Sequence, residues 1–183
     1  MSKENRVILK NVRASYPRVH TPELNKFSNR TEYSITVLIP QDDPQVEALK
    51  STMRVVWEKK FGPEKGLKKL KAAMDSKNTR FLHFDEEMGC YRINLKRKES
   101  DGAPIVIDRA KNKLEESSGK PYGGCYINVS FDLWVYDKQS TGTSATLTGV
   151  QFVADGEPFG GSSQPSEADF EDLSDDGAED PFL

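Results

Sequence analysis

The sequence is poor in the residues that most often carry catalysis or bind metals. Its 183 residues include two cysteines, Cys90 and Cys125, and two histidines, His20 and His83. Two histidines are too few for a zinc site, and the cysteines lie far apart without forming a C-x-x-C pair. We therefore expect no metal and no cofactor, and we expect both cysteines to be reduced, small buried residues.

Catalytic and membrane-spanning motifs are also missing. The sequence contains no phosphate-binding loop, nucleophile elbow, paired-histidine metalloprotease motif or dinucleotide fingerprint. Residues 1–10 lack the apolar run of a signal peptide, and no hydrophobic stretch approaches the length of a membrane span. These absences predict a soluble, cytoplasmic protein that is not an enzyme and does not contact membranes.

Basic residues are missing from the C-terminal end of the chain. Residues 155–183 hold ten of the 29 Asp and Glu residues and none of the 26 Lys and Arg residues. The part before them therefore carries 26 basic against 19 acidic side chains, although the net charge of the whole chain is -3. A hydrophobic fraction of 36% is also low for a chain that folds along its full length. We predict a folded, basic domain over residues 1–161 and a disordered acidic tail over residues 162–183.

A long alternating segment predicts the central strand of that domain. From Cys125 every second residue is small or apolar, and the residues between them include three aromatics, Tyr126, Trp134 and Tyr136. Successive side chains of a strand point to opposite faces. One face is therefore predicted to be buried, and the other to carry the three aromatic rings outward.

A second alternating segment is apolar on one face and basic on the other. Residues 90–97 place Arg92, Asn94 and Lys96 on the face opposite their apolar neighbours. Stacking aromatic rings and phosphate-neutralising cations together are typical of proteins that bind single-stranded nucleic acid. Arg92 and Lys96 are therefore candidate phosphate contacts beside the aromatic face.

The segment after the first strand adds two further candidates. Pro17 and Pro22 predict that regular structure stops and that a loop exposes Tyr16 and Arg18. An aromatic side chain beside an arginine suits nucleic-acid binding. Ordinary packing of the loop is the alternative interpretation.

A helical insertion is predicted over about residues 42–77. Apolar residues recur at helical spacing after Pro44 and end at Gly62. Trp57 belongs to this apolar stripe, so it is predicted to pack on the sheet rather than to stack on bases. The second half of the insertion is rich in lysine, which predicts either a phosphate-binding face or a solvated one, at positions 65, 68, 69, 71 and 77.

The complete pattern predicts a mainly β fold. In the first strand, apolar residues occur at both parities, so either both faces are partly covered or a bulge shifts the register. We expect an OB-fold-like antiparallel five-stranded barrel with the helical insertion, and an open α+β sheet is the alternative. The principal strands are predicted at residues 6–14, 32–40, 90–97, 125–136 and 144–153.

Four segments resemble the bacteriophage single-stranded DNA-binding proteins that combine an OB-fold with a disordered acidic tail. They are ASYPRV at 14–19, YSITVLIP at 33–40, YGGCYINVSFDLWVYD at 122–137 and GVQFVADGEPFGG at 149–161. The resemblance implies a protein that binds and protects single-stranded DNA with little sequence preference during phage DNA replication and recombination. The candidate DNA contacts are the outward aromatic and basic residues identified above, namely Tyr16, Arg18, Arg92, Lys96, Tyr126, Trp134 and Tyr136.

The C-terminal end resembles the partner-binding tails of bacterial and phage single-strand binding proteins. Those tails end in acidic residues followed by Pro-Phe or a terminal Phe, and this chain ends in Asp180, Pro181, Phe182 and Leu183. Leu183 departs from a terminal Phe but keeps a hydrophobic pair beside the carboxylate. The resemblance implies that these residues recruit replication or recombination proteins, and we expect the chain to be a monomer or a homodimer.

Three alternative functions follow from the same sequence. The first is a single-strand annealing protein of phage recombination. The second is a metal-dependent nuclease that uses Asp85, Glu86, Glu87 or Asp108, although consecutive carboxylates on a turn point in different directions and no D-x-D spacing accompanies them. The third is an interaction adaptor whose basic body binds no DNA.

Overall fold

The computed structural model of the chain describes residues 4–77 and 80–159. The predicted acidic tail therefore lies outside the described residues. The strands are β1 (Arg6–Asn25), β2 (Arg30–Pro40), β3 (His83–Asp85), β4 (Cys90–Lys98), β5 (Ile105–Ile107), β6 (Tyr126–Asp137) and β7 (Thr141–Ala154), and the helices are α1 (Gln45–Phe61) and α2 (Pro63–Asp75), with 3-10 turns at Glu99–Asp101 and Glu116–Ser118.

Five of the strands close into a barrel. Hydrogen-bonded neighbours run in the order β4, β2, β1, β6 and β7, and β7 returns to β4 through the pair Lys96 and Thr146. This closure confirms the predicted OB-fold-like barrel over the open sheet. The closing pair is parallel, whereas the other four pairs of the barrel are antiparallel. An odd number of strands cannot alternate in direction all the way round a ring, so one pair has to be parallel.

The first strand is much longer than predicted. The expected loop after Ala14 is wrong, because β1 continues through Pro17 and Pro22 to Asn25. The ladder between β1 and β2 shifts register between Ser15 and Arg18, and again between Arg18 and Glu23. Proline is tolerated at such irregularities because no ladder hydrogen bond needs its missing N–H group.

A bulge also explains the mixed parity at the start of β1. The ladder between β1 and β6 shifts register between Leu9 and Val12, where Asn11 has a φ of 52°. Leu9 and Val12 are both buried on either side of this shift. Of the two interpretations of the mixed parity, the bulge is the one that the structure shows.

The helical insertion fills one end of the barrel. Asp43 accepts a hydrogen bond from the backbone of Gln45 at 2.9 Å, and Gly62, with a φ of 89°, ends α1. Trp57 is fully buried and its Nε1 donates to the Thr143 hydroxyl at 2.8 Å, which confirms its predicted packing role. The buried stripe of α1 consists of Val46, Leu49, Met53 and Trp57.

The two cysteines differ in exposure. Cys125 is fully buried, as predicted, whereas Cys90 at the start of β4 is partly exposed, and both are free thiols. Burial raises the pKa of both thiols. In the described part of the chain, no helix is long and apolar enough to cross a membrane.

Candidate nucleic-acid interface

One outward surface of the barrel is polar and basic, and we name it the barrel face. It is formed by the outward side chains of three adjacent strands. Arg18 of β1 lies opposite Ser34 of β2, and Ser34 lies opposite Lys96 of β4. Directly opposed residues of an antiparallel pair project from the same side of the sheet. The barrel face consists of Tyr16, Arg18, Ser34, Thr36, Arg92, Asn94 and Lys96.

The β1 bulge projects Tyr16 away from the sheet. Its φ is 46° and its residue is 77% exposed. A positive φ is rare for a bulky residue and costs free energy. The same irregularity places Ser15, which is buried, and Arg18, which is exposed, on its two sides. Tyr16 therefore presents an exposed aromatic ring to a ligand on the barrel face.

The cations of the barrel face differ in how far they are neutralised. Arg18 pairs with Glu23 at 3.0 Å, and about half of each side chain is exposed. Arg92 lies 3.6 Å from an oxygen of Asp85, whose side chain is only 18% exposed, so this pair is less screened by water than that of Arg18. Lys96 is exposed and has no ion pair with any residue that the structure describes. Exposed ion pairs contribute little stability, so Arg18 and Lys96 are the cations that a phosphate can reach most readily.

The carboxylates considered for a metal site instead accept hydrogen bonds from the backbone of their own turns. Asp85 accepts hydrogen bonds from the backbone N–H groups of Glu87 and Met88, both at 3.1 Å. Asp108 accepts from the backbone of Ala110 and Asn112, and the Asn112 hydrogen bond lowers the pKa of the Asp108 carboxyl. Within residues 4–77 and 80–159, no three His, Cys, Asp or Glu side chains are grouped so that they could hold a metal ion.

A second surface lies at the β6–β7 hairpin and carries one exposed aromatic ring, Trp134, and one partly buried ring, Tyr136. Trp134 is 46% exposed, and its ring meets that of Tyr136 edge to face at a centroid distance of 6.2 Å. Together with nearby helix lysines they form what we name the hairpin patch: Trp134, Tyr136, Lys60, Lys65 and Lys69.

The helix lysines reach the hairpin through the packing of α1 and α2. Lys60 donates to the Val135 carbonyl at 3.3 Å. A hydrogen bond from Thr141 lowers the pKa of the Asp137 carboxyl, and the positive charges of Lys69, Lys60 and Lys65 lower it further. The sequence predicted a lysine-rich helix face with two possible roles. The structure places part of that face beside the exposed ring of Trp134 and the partly buried ring of Tyr136.

The barrel face and the hairpin patch lie on either side of β7. Lys96 is opposite Thr146, and Thr146 is opposite Asp132, which precedes Trp134 by two residues. Two strand spacings amount to about 10 Å. Arg6 holds Asp132 through hydrogen bonds of 2.8 and 3.1 Å. The candidate cations of β4 and the candidate aromatics of β6 are therefore neighbours across one strand.

Tyr126 is not brought together with the other two predicted aromatics of β6. It lies eight residues from Trp134 on the same strand, a separation of about 26 Å. Its cross-strand partner is Arg13 of β1. The outward face of β6 thus carries one aromatic site at each end. The polar side chains between these sites form hydrogen bonds with residues of the neighbouring strands.

Near Tyr16 the structure reveals a feature that the strand patterns did not predict. We name it the aromatic cleft, a cavity of about 430 Å³ whose lining includes Tyr16, Tyr122 and Phe159 together with Arg18 and Gly123. The three rings come from β1, from the segment before β6 and from the segment after β7. No local period links such distant positions. The only sequence signal is an aromatic residue beside glycine at Tyr122 and Phe159.

The predicted partner-binding residues Asp180, Pro181, Phe182 and Leu183 lie outside the described residues.

Comparison with known proteins identifies relatives over nearly the whole chain. Residues 5–182 match the family described as Enterobacter phage Enc34, ssDNA-binding protein. A protein of Acyrthosiphon pisum secondary endosymbiont phage 1, named Putative protein p50, is 33% identical over 174 residues, which cover 92% of this chain and 94% of that protein.

Several solved structures share the fold, and they include those of two phage single-stranded DNA-binding proteins. The single-stranded DNA-binding protein from bacteriophage Enc34, in complex with ssDNA, matches with a TM-score of 0.70 at 23% identity, over 86% of this chain and 91% of that chain. The single-stranded DNA-binding protein gp2.5 encoded by bacteriophage T7 matches with a TM-score of 0.56 at 17% identity, over 97% and 98% of the two chains.

Proposed function

The chain belongs to the family of single-stranded DNA-binding proteins described from Enterobacter phage Enc34, and from this premise we propose that it binds single-stranded DNA along the barrel face. The resemblance found in the sequence is thereby confirmed at the level of the family. The observation that carries the proposal is the row formed by Arg18, Ser34 and Lys96, with the exposed ring of Tyr16 beside it.

The chemistry of the barrel face supports binding with little sequence preference. Arg18 and Lys96 attract phosphates whatever the base sequence, and Tyr16 offers a ring on which any base can stack. Arg92 is a weaker phosphate contact than Arg18, because the side chain of its partner Asp85 is only 18% exposed, whereas that of Glu23 is 58% exposed and more fully screened by water. Thr36 and Asn94 already bond to each other at 2.8 Å. A row of cations with an exposed ring therefore holds the backbone and tolerates all four bases.

The hairpin patch extends the same binding surface. Trp134 and Tyr136 present rings two strands away from Lys96, and the helix lysines add positive charge around them. A strand that crosses β7 contacts Lys96 first and Trp134 next. Tyr126 lies opposite Arg13 at the other end of β6, where its ring is a separate candidate stacking surface.

We propose that the protein protects single-stranded DNA during phage replication and recombination in the host cytoplasm, as a monomer or homodimer and without enzymatic activity. Residues 1–161 form the DNA-binding domain in this proposal, and residues 162–183 are its acidic tail. The tail recruits replication or recombination proteins through Asp180, Pro181, Phe182 and Leu183. A run of carboxylates that ends in two hydrophobic side chains suits a basic, apolar groove on a partner.

The tail also competes with DNA for the basic surfaces. Residues 155–183 hold ten carboxylates and no basic residue, whereas the rest of the chain has a surplus of seven basic side chains. Opposite charges tethered in one molecule attract each other, most strongly at low salt. Deleting residues 162–183 is therefore expected to tighten DNA binding at low salt more than at high salt. An unchanged or weaker affinity would contradict the competition.

The proposed function is tested by titrating labelled single-stranded DNA, duplex DNA and single-stranded RNA into the protein at two salt concentrations. We expect the tightest binding for single strands, with an affinity that falls as salt rises. Replacing Lys96 by Ala removes one phosphate contact, which lowers the salt slope by about 0.7.

A matched control separates the barrel face from the general charge of the protein. Lys113→Ala removes the same charge from a side chain that is 80% exposed and pairs with Glu115 at 3.4 Å. It is expected to leave the affinity and the salt slope almost unchanged. Equal affinity for duplex and single strands, or equal effects of the two substitutions, would overturn the proposal.

A further inference from the structure

We propose that the aromatic cleft binds one unstacked base of the DNA strand that crosses the barrel face. This inference rests on the proposed function and assigns it a subsite at the β1 bulge. Among the DNA contacts predicted from the sequence, only Tyr16 and Arg18 line the cleft.

The wall formed by Phe159 is held in place before any ligand binds. The guanidinium of Arg13 lies 4.2 Å from the centre of the Phe159 ring. The same guanidinium donates to the carbonyls of Glu157 at 2.7 Å and Gly124 at 3.1 Å. The Phe159 backbone N–H donates to the Gly123 carbonyl at 3.1 Å. A ring anchored at its face and at its backbone loses little entropy when a base stacks on it.

The wall formed by Tyr122 is anchored as well. Its hydroxyl donates to Asp155 at 2.7 Å, and the Gly156 N–H donates to the same hydroxyl at 3.2 Å. Burial, and then the hydrogen bond to Asp155, raises the pKa of the Tyr122 hydroxyl. Tyr122 is therefore a neutral, fixed ring, which is the kind of surface that stacks on any base.

The cleft is continuous with the barrel face. Arg18 lines the cleft and also lies in the row with Ser34 and Lys96. Tyr16, the other shared residue, is largely exposed at the bulge. A phosphate on Arg18 therefore leaves its own or the adjacent base beside the cleft.

A base fits this cleft better than an acidic peptide does. Asp155 is bonded to Tyr122, and Glu157 lies on the segment that leads to Phe159, so carboxylates already flank the cleft. Like charges brought together on binding are unfavourable, whereas a nucleobase is uncharged. The chain's own acidic segment is the competing occupant, and the experiment below distinguishes it.

Gly123 allows the cleft to be filled without removing a ring. Its φ is not positive, and a Cβ added there meets Phe159 Cδ2 at 3.7 Å and the Tyr16 backbone nitrogen at 3.9 Å, both ordinary contacts. Gly123→Leu is expected to occupy the space of a base. Gly123→Ala is the matched control because a methyl group fits beside the same atoms. Phe159→Ala tests the cleft in the opposite way, by removing a wall.

The probes are oligothymidylate of about 20 nucleotides, which exceeds the site size of a single OB-fold, and an abasic strand of the same length. We expect Gly123→Leu and Phe159→Ala in the full chain to weaken binding of oligothymidylate by about tenfold. Binding of the abasic strand is expected to stay within about twofold, because phosphate contacts alone hold it. Gly123→Ala is expected to bind both probes like the unsubstituted chain.

Three outcomes would overturn the inference. The first is wild-type affinity of Gly123→Leu and Phe159→Ala for oligothymidylate. The second is an equal loss for both probes, which would mean that the cleft only supports the fold. The third is tighter binding of both probes by Gly123→Leu, which would assign the cleft to the acidic segment. If the unsubstituted chain bound neither probe, the proposed function itself would fail.

Discussion

The two tryptophans of the chain occupy regions that differ in almost every respect. Trp57 lies on α1, fully buried at the end of the barrel, and its indole N–H bonds to Thr143. Trp134 lies on β6, half exposed, with its ring against Tyr136 and the helix lysines nearby. The same side chain therefore stabilises the fold in one region and is available to a ligand in the other.

The difference follows from the element that carries each tryptophan. Trp57 falls on the apolar stripe of α1, which has only one place to be buried, the open end of the barrel. Trp134 falls on the outward parity of β6, whose inward residues already fill the core. An aromatic residue therefore indicates a binding site only when its position on the helix or strand keeps it out of the hydrophobic core.

The largest expected effect is the loss of stability in Trp57→Ala. Removing a fully buried indole leaves a cavity and the unpaired hydroxyl of Thr143, so the free energy of unfolding is expected to fall by about 3–5 kcal/mol. Urea denaturation followed by circular dichroism measures it. Trp57→Phe keeps most of the ring and is the matched control. An unfolding midpoint equal to that of the unsubstituted chain would contradict the buried role.

Next in size is the loss of DNA affinity in Trp134→Ala. Removing a stacking ring is expected to weaken single-stranded DNA binding by about 1–3 kcal/mol. Because the side chain is already 46% exposed, the free energy of unfolding should change by less than about 1 kcal/mol. Quenching of tryptophan emission by DNA should disappear in Trp134→Phe and persist in Trp57→Phe. If quenching persists in Trp134→Phe, the Trp134 indole does not contact the DNA.

The smallest expected effect concerns the helix lysines. Replacing Lys60, Lys65 and Lys69 by Gln is expected to lower the salt slope of DNA binding by up to about 2, at about 0.7 for each phosphate contact. The pKa of Asp137 should rise, because these charges lower it. Lys71→Gln, also exposed on α2, is the control. If the salt slope in the triple variant stays at its original value, the lysine face is merely solvated.

Local patterns predicted much of the fold and several pieces of the site. The inward residues of β6 and the apolar stripe of α1 are where alternation and helical spacing placed them. The length of β1 was predicted wrongly. Two prolines predicted a loop, but in the structure both lie within the strand, at shifts of its register with β2. Proline excludes a ladder hydrogen bond, and whether that bond is needed depends on the register between β1 and β2, which the local sequence does not show.

The sequence predicted individual residues of the candidate site but not how they are arranged in space. Arg92 and Lys96 were expected beside the aromatics of β6, and their proximity arises only because β7 lies between the two strands. Tyr126 lies on the same outward face as Trp134, as predicted, but at the other end of the strand. No sequence pattern predicted Phe159 as a site residue, because its ring becomes part of a cleft only through its contacts with Arg13 and Gly123.

The sequence by itself determined the division into a basic body and an acidic end, the faces of each strand and the membership in a family. These properties depend on composition and on periods of a few residues, which are read along the chain. The tertiary structure alone decided which faces adjoin, because the register of a closed barrel and its bulges depend on all five strands at once. It therefore decided that the cations of β4 lie near Trp134, and that three distant aromatic residues line one cleft.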